Sequence, residues 1–218
     1  MGIPLSSPLR VALIGMSGVG KTLWAKRLAE TGRPTISCDD CIEERLQPLL
    51  ASGGYSGING VAAWMGWPNS ATYSERESAY LAAEISVLDQ VLTDLERDAS
   101  RELILDTTGS VIYAGNNVLM RLRRQMTVVH LSASDAQQQL LIERYLADPK
   151  PVLWRGAFLP RVGETPVETV ARCYPVLIGT RRQSYAALAH CALPVEELRE
   201  VALGAHAFLE RIHALGER

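Results

Sequence analysis

Short apolar runs alternate with amphipathic stretches along this chain, and that alternation predicts an α/β fold with a parallel sheet. Leu9–Ile14 is a compact apolar run suited to a buried strand, followed by a helical stretch over 23–30 that Gly32 and Pro34 stop. Residues 34–37 form a short candidate strand. A helix over 39–50 comes next, with Asp40 as its cap, Glu43 in the capping-box place, and Ile42, Leu46 and Leu50 on one face. From Ser52 to Tyr73 the period is lost among five glycines, two tryptophans and Pro68, which predicts an irregular insert. A long helix over 74–97 follows, with Ser74 and Glu77 as a capping box and Leu81, Ile85, Leu88, Leu92 and Leu95 as its apolar stripe. Leu103–Leu105 predicts a strand ending at Asp106, residues 111–126 a helix, 127–131 a strand and 133–147 a helix. The segment 148–165, with three prolines and several cations, is loop-like; the remainder is helical apart from a short edge strand near 191–195.

With 218 residues, 47% of them hydrophobic, the chain suits one domain with a full core. A formal charge of −2 argues against a general nucleic-acid or membrane-surface binder. Arg121, Arg123 and Arg124 are the densest cationic group, and their spacing fits a solvated helix face. No apolar run approaches the ~20 residues needed to span a bilayer, and no basic-then-apolar leader opens the chain, so a cytoplasmic protein is expected. The first six residues match the loose myristoylation pattern but lack a basic patch beside them, which favours chance. Cys38 and Cys41 are spaced C-x-x-C without the second half that a zinc site wants. The four histidines are dispersed.

Chemistry enters at 15–22. Gly15-Met16-Ser17-Gly18-Val19-Gly20-Lys21-Thr22 fits G-x-x-x-x-G-K-[ST], and it lies between a predicted strand and a predicted helix, the context that the phosphate-binding loop of P-loop NTPases requires. In that motif glycines let successive backbone N–H groups point at phosphate oxygens, and the helix dipole favours negative charge at the same place. Gly15, Ser17, Gly18, Val19, Gly20, Lys21 and Thr22 are therefore the candidate nucleotide-binding residues. Lys21 is assigned to the β- and γ-phosphates and Thr22 to Mg²⁺. Asp106, after three apolar residues, fits a second Mg²⁺ ligand opposite Thr22, or a cap for the next turn. Asp106-Thr107-Thr108-Gly109 also spells the D-x-x-G of GTPases. The base-reading N-K-x-D is absent, and the nearest match, Ser132-Ala133-Ser134-Asp135, has no lysine.

The order of elements and several further motifs resemble shikimate kinase and its relatives among the small P-loop kinases. The resemblance covers most of the chain and implies a three-layer α/β sandwich with a mostly parallel five-stranded sheet, an inserted substrate-binding segment at 52–73 and a lid at 148–165. In that family a D-x-D follows the second strand; Ser37-Cys38-Asp39 falls on it, so Asp39 is the implied acceptor-binding residue while Ser37 replaces the metal-side aspartate. The family's triple glycine becomes Thr107-Thr108-Gly109, leaving Gly109 as the candidate backbone contact. Its F-R-x-x-E becomes Tyr73-Ser74-Glu75-Arg76-Glu77, with the arginine moved to Arg76. Lys150-Pro151-Val152-Leu153 is similar to the lid sequence R-P-L-L, and Arg181 with Tyr185 matches R-x-x-x-Y, whose arginine binds the acceptor's acid group. Lysine does not reproduce a bidentate arginine, so the acceptor is expected to differ from shikimate. Trp64, Trp67 and Tyr73 are candidates for an apolar acceptor pocket, or for local packing. Lys150, Arg155 and Arg161 are the lid cations, with Arg155 expected to neutralise charge on the transferring group. The expectation is phosphoryl transfer from ATP, with Mg²⁺, to a hydroxyl of a small metabolite, Asp39 orienting that hydroxyl. A nucleotide-binding regulator with little turnover and a GTPase-like switch are the alternatives.

Overall fold

In the computed structural model, which describes residues 8–199 and 204–216, five strands form one parallel sheet. They are β1 (Arg10–Ile14), β2 (Thr35–Ser37), β3 (Leu103–Asp106), β4 (Thr127–Ser132) and β5 (Cys191–Pro194), in the spatial order β2-β3-β1-β4-β5. The central strand β1 is enclosed because Val11 to Ile14 and the facing residues of β3 and β4 bury completely or nearly so. Near-continuous apolar runs are what a parallel strand covered on both faces requires. The sheet is flanked by helices in the architecture of P-loop NTPases. The carboxyl ends of β1, β2 and β3 lie side by side, with Leu13 paired to Asp106 and Ser37 paired to the same Asp106 on the other flank. The first six residues, with their myristoylation pattern, lie outside the described residues.

The first helix, α1 (Lys21–Ala29), begins directly after Gly20, whose φ of 100° is left-handed and favours a residue without a Cβ. It packs on β1, β2 and β3. The second helix, α2 (Cys38–Ala51), starts one residue earlier than the sequence suggests, and its cap is Ser37, whose hydroxyl accepts from the Asp40 amide at 3.3 Å. Asp40 is therefore in the first turn. Glu43 instead accepts from the amide of Gly57.

The expected irregular insert contains a helix, α3 (Gly57–Met65), packed on α2 and on α4 (Tyr73–Arg97). Its two glycines and its scarcity of polar residues hide the helical period, and burial of Val61, Trp64 and Met65 supplies the stability that propensity does not. The helix α4 begins at Tyr73 with Thr72 as its cap residue, so Ser74 and Glu77 form no capping box. Its buried face is also turned from the expected stripe: Tyr73, Glu77, Tyr80 and Glu84 lead into Val87, Leu88, Val91, Leu92 and Leu95, while Leu81 and Ile85 are only partly buried. The single helix expected over 111–126 is a short 3₁₀ turn (Val111–Tyr113) and α5 (Asn116–Gln125), separated by Gly115 at φ 86°. Beyond β4 come α6 (Asp135–Ala147), a loop over 148–164, and α7 (Pro166–Leu188) with a Thr165/Glu168 capping box. After β5 the chain forms α8 (Val195–Arg199) and α9 (Ala205–Gly216), whose Phe208 stacks on Trp24 of α1.

Candidate active site

The loop between β1 and α1 owes its shape to glycine at two points. Gly15 has φ 141°, and a Cβ there would lie 2.7 Å from the Leu131 carbonyl oxygen, too close for any other residue without backbone movement. Gly20 supplies the left-handed turn into the helix. Lys21, buried to 8% exposure, folds over the loop and donates from Nζ to the carbonyls of Gly15 at 2.9 Å and Met16 at 3.1 Å. Burial lowers its pKa, and the nearby carboxylates of Asp106 and Asp39 oppose that shift.

Asp106 is 5% exposed and its carboxyl is raised by burial, against a hydrogen bond with the Thr22 side chain and the charge of Lys21. Its Oδ1 is buried without a hydrogen-bond partner among the described residues. A buried carboxylate oxygen without a partner beside a threonine hydroxyl, at the end of the phosphate loop, is a pair of oxygen donors that would suit magnesium. The described residues hold no cluster of three His, Cys, Asp or Glu able to bind a metal alone, so such an ion would depend on the nucleotide. Ser37 and Asp106 are paired neighbours on β2 and β3, so the two positions share one edge of the sheet. Ser37 is committed to capping α2.

A cavity of about 410 Å³ opens beside this loop. Ser17, Gly18, Gly20, Lys21 and Thr22 line its phosphate side, while Asp39, Gly109 and Arg181 lie on its other sides. Val19 is buried in the core. Asp39, in the first turn of α2, has its carboxyl raised by burial, a shift that Lys21 opposes and that Asp106 and Asp40 reinforce. Arg181 is 6% exposed and donates to the Leu153 carbonyl at 2.5 Å, with longer contacts of 3.4 Å to the Gly109 carbonyl and the Tyr113 hydroxyl. Tyr185, one turn on, donates its hydroxyl to the same Gly109 carbonyl. No carboxylate pairs with this buried guanidinium among the described residues.

The cations of the 148–164 loop, the expected lid, are placed differently from one another. The exposed Lys150 reaches Asp148 at 4.0 Å and the Asn59 side chain at 3.5 Å, so it ties that loop to α3. Arg155 has φ 50° and its guanidinium lies 3.7 Å from Glu77, while its amide donates to the same carboxylate at 2.9 Å. Glu77 also accepts from the Tyr73 hydroxyl at 2.8 Å, and that hydroxyl in turn accepts from the Trp154 amide at 2.9 Å. Pro151, Val152 and Leu153, rather than Lys150, Arg155 or Arg161, line the cavity. The aromatics of the insert are packing residues: Trp64 is buried under the Arg76 guanidinium, and Tyr73 is engaged with the lid backbone. Arg76 thus holds α3 through the Trp64 carbonyl.

Sequence reasoning passed over Glu84. It is 1% exposed, beneath the cavity wall, and takes the Thr108 hydroxyl on Oε1 and the Ser110 hydroxyl on Oε2, the latter at 2.8 Å. Burial pushes its carboxyl up to about 7, against those two hydrogen bonds. The signal was present as spacing: Tyr73, Glu77, Tyr80 and Glu84 follow the helical 4-3-4 rhythm in line with the buried valines and leucines downstream. A carboxylate on an apolar face is the informative exception.

No protein-family model matches the chain, and no curated protein matches it. Solved structures do. A shikimate kinase from Bacteroides thetaiotaomicron superposes with a TM-score of 0.59 at 17% identity, covering 96% of this chain and 99% of that one. A shikimate kinase from Acinetobacter baumannii in complex with shikimate gives 0.56 at 22%, covering 94% and 90%. A dephospho-CoA kinase from Campylobacter jejuni gives 0.51 at 9%, covering 94% and 97%. At such identities the likeness is one of fold, and a fold shared by kinases of unlike acceptors does not select an acceptor. The chain has the α/β P-loop fold of the shikimate kinases.

Proposed function

We propose that this chain transfers the γ-phosphoryl group of ATP to a hydroxyl of a small metabolite. One observation carries the proposal: a phosphate-loop motif, the acidic side chain of Asp39 and Arg181, which has no carboxylate ion-pair partner among the described residues, converge on one cavity, with Asp106 hydrogen-bonded to the cavity residue Thr22. The amides of residues 16–21 receive the phosphates, and Lys21 exchanges its loop carbonyls for β- and γ-phosphate oxygens. Thr22 and Asp106 are the residues that would hold magnesium, which supplies charge neutralisation on the phosphates. Asp39 orients the acceptor hydroxyl and takes its proton as the new O–P bond forms and the bond to ADP breaks. Its carboxyl, raised by burial, is a better base than a solvated aspartate. Arg181, which no carboxylate among the described residues pairs with, binds an acidic group on the acceptor. Arg155, released from Glu77, completes the site when the lid engages the nucleotide.

No helix among the described residues is long and apolar enough to cross a membrane. The four free cysteines fit a reducing compartment, the cytoplasm, where ATP is plentiful. The test is ADP release from Mg-ATP across hydroxy acids, polyols, nucleosides and shikimate, with Lys21→Ala as background. Lys21-dependent stimulation by one acceptor class is the expected outcome. ATP binding without stimulation by any compound would instead favour a nucleotide-sensing role.

A further inference from the structure

The cavity wall away from the phosphate loop carries five polar side chains: Asp39, Tyr80, Thr108, Ser110 and Arg181. Three of these are already engaged, by Glu84 beneath the wall and by one another. Thr108 and Ser110 give their hydroxyl protons to Glu84, Thr108 Oγ1 accepts from the Ser110 amide at 3.0 Å, and the Tyr80 hydroxyl is hydrogen-bonded to the Ser110 side chain. Glu84 itself does not line the cavity. Its carboxylate draws these hydroxyls inward, so they have little left to offer a ligand. Asp39 and Arg181 remain the polar side chains with unspent capacity, and Arg181 lacks a carboxylate partner among the described residues.

The lining that α3 and the lid contribute is aliphatic. Ile58, Val61, Ala62 and Met65 project from α3, and Val152 and Leu153 from the lid. A polyol placed here would set several hydroxyls against hydrocarbon without partners, each losing its hydrogen bonds to water. A hydrocarbon body of the right size would instead bury favourably.

We infer that the body of the acceptor, between the acidic group and the hydroxyl already assigned to Arg181 and Asp39, is hydrocarbon and lies against α3 and the lid. This inference rests on the proposed phosphoryl transfer and its assignment of those two groups; the preference for a hydrocarbon body stands or falls separately. Glu84 is the positioning residue that makes the preference, by keeping Thr108 and Ser110 from serving a polyol.

The test measures dissociation constants by ligand-observed NMR on the Mg-ADP-loaded protein, beside ADP release, for four probes. These are trans-4-hydroxycyclohexanecarboxylate, D-gluconate, shikimate and cyclohexanol. The expected result is that the hydroxycyclohexanecarboxylate binds at least about tenfold tighter than either D-gluconate or cyclohexanol, with shikimate between, since a hydrophobic body and a buried ion contact each separate ligands by such factors. Ile58→Asn changes an exposed residue of the wall, 59% accessible, so folding is not at stake. It should weaken the hydroxycyclohexanecarboxylate severalfold and leave D-gluconate and nucleotide unchanged. Glu84→Gln should narrow the gap between the hydroxycyclohexanecarboxylate and D-gluconate at least threefold, with ADP affinity unaltered. D-gluconate binding as tightly as the hydroxycyclohexanecarboxylate, cyclohexanol matching the acid, or no binding by any acid overturns the inference. Binding in the expected order without ADP release would sink phosphoryl transfer and leave the preference standing; ADP release with a polyol alone would do the reverse.

Discussion

The two ends of the cavity are built on opposite plans. At the end built from the phosphate-loop motif, the lining comes from one short stretch, Ser17, Gly18, Gly20, Lys21 and Thr22, whose course is set by glycine conformations. At the other end, which the proposal gives to the acceptor, residues from α2, α3, α4, the turn after β3, the 148–164 loop and α7 meet although they are separated by up to 142 positions, from Asp39 to Arg181. Phosphate is the same in every substrate, and a contiguous backbone cradle suffices for it. The acceptor varies, and its recognition is distributed over side chains that can change one at a time without disturbing the sheet.

The strongest way to break this contrast is Lys21→Ala. It should lower ADP production by ~10³-fold or more, by analogy with loss of other groups that stabilise phosphoryl transfer, with the melting temperature little changed. Asp39→Asn should cost ~10²–10³-fold in kcat while the dissociation constant of ATP stays within about twofold, because a general base acts on the acceptor and not on the nucleotide. Equal losses in both would place Asp39 at the phosphate end.

Glu84 sharpens the comparison through stability. Its folded carboxyl at about 7 lies above the unfolded value of 4.5, so the folded state holds the proton more tightly. Stability from this group is therefore fully present below 4.5 and is lost as pH rises through 7. The shift is worth about 3 kcal/mol at 1.36 kcal/mol per unit. Urea unfolding of wild type and Glu84→Gln at pH 5 and 8.5 isolates it, since the pH dependence of every other group cancels in the difference. A difference between the two proteins that does not change with pH would show that Glu84 is ionised throughout.

The smallest effect is expected at the lid. Arg155 is 40% exposed and tied to Glu77, so Arg155→Ala should destabilise the fold by less than ~1 kcal/mol. Turnover should fall about tenfold with ATP affinity nearly unchanged, less than for a fixed oxyanion donor, since Arg155 must first leave Glu77. An ATP affinity that falls as far as turnover would make Arg155 a ground-state contact.

The five strands, most of the helices, the phosphate-loop motif and the placing of Asp106 at a strand end were legible in the residues alone. Those features are local: apolar runs, glycine at left-handed turns and a lysine one residue into a helix follow from neighbours along the chain. The sequence also pointed to Asp39 and Arg181, through spacing that resembles a known family. What only the tertiary structure decided was the acceptor wall. The helix α3 exists because α2 and α4 bury it, which no periodicity in Gly57–Met65 announces. The turn of α4 that buries Glu77 and Glu84 in place of Leu81 and Ile85 depends on what lies opposite: Arg155 and the lid for one, Thr108 and Ser110 for the other. Burial of a carboxylate is affordable only where hydroxyls, amides or cations from distant segments meet it, and those meetings are long-range facts that a local pattern does not contain.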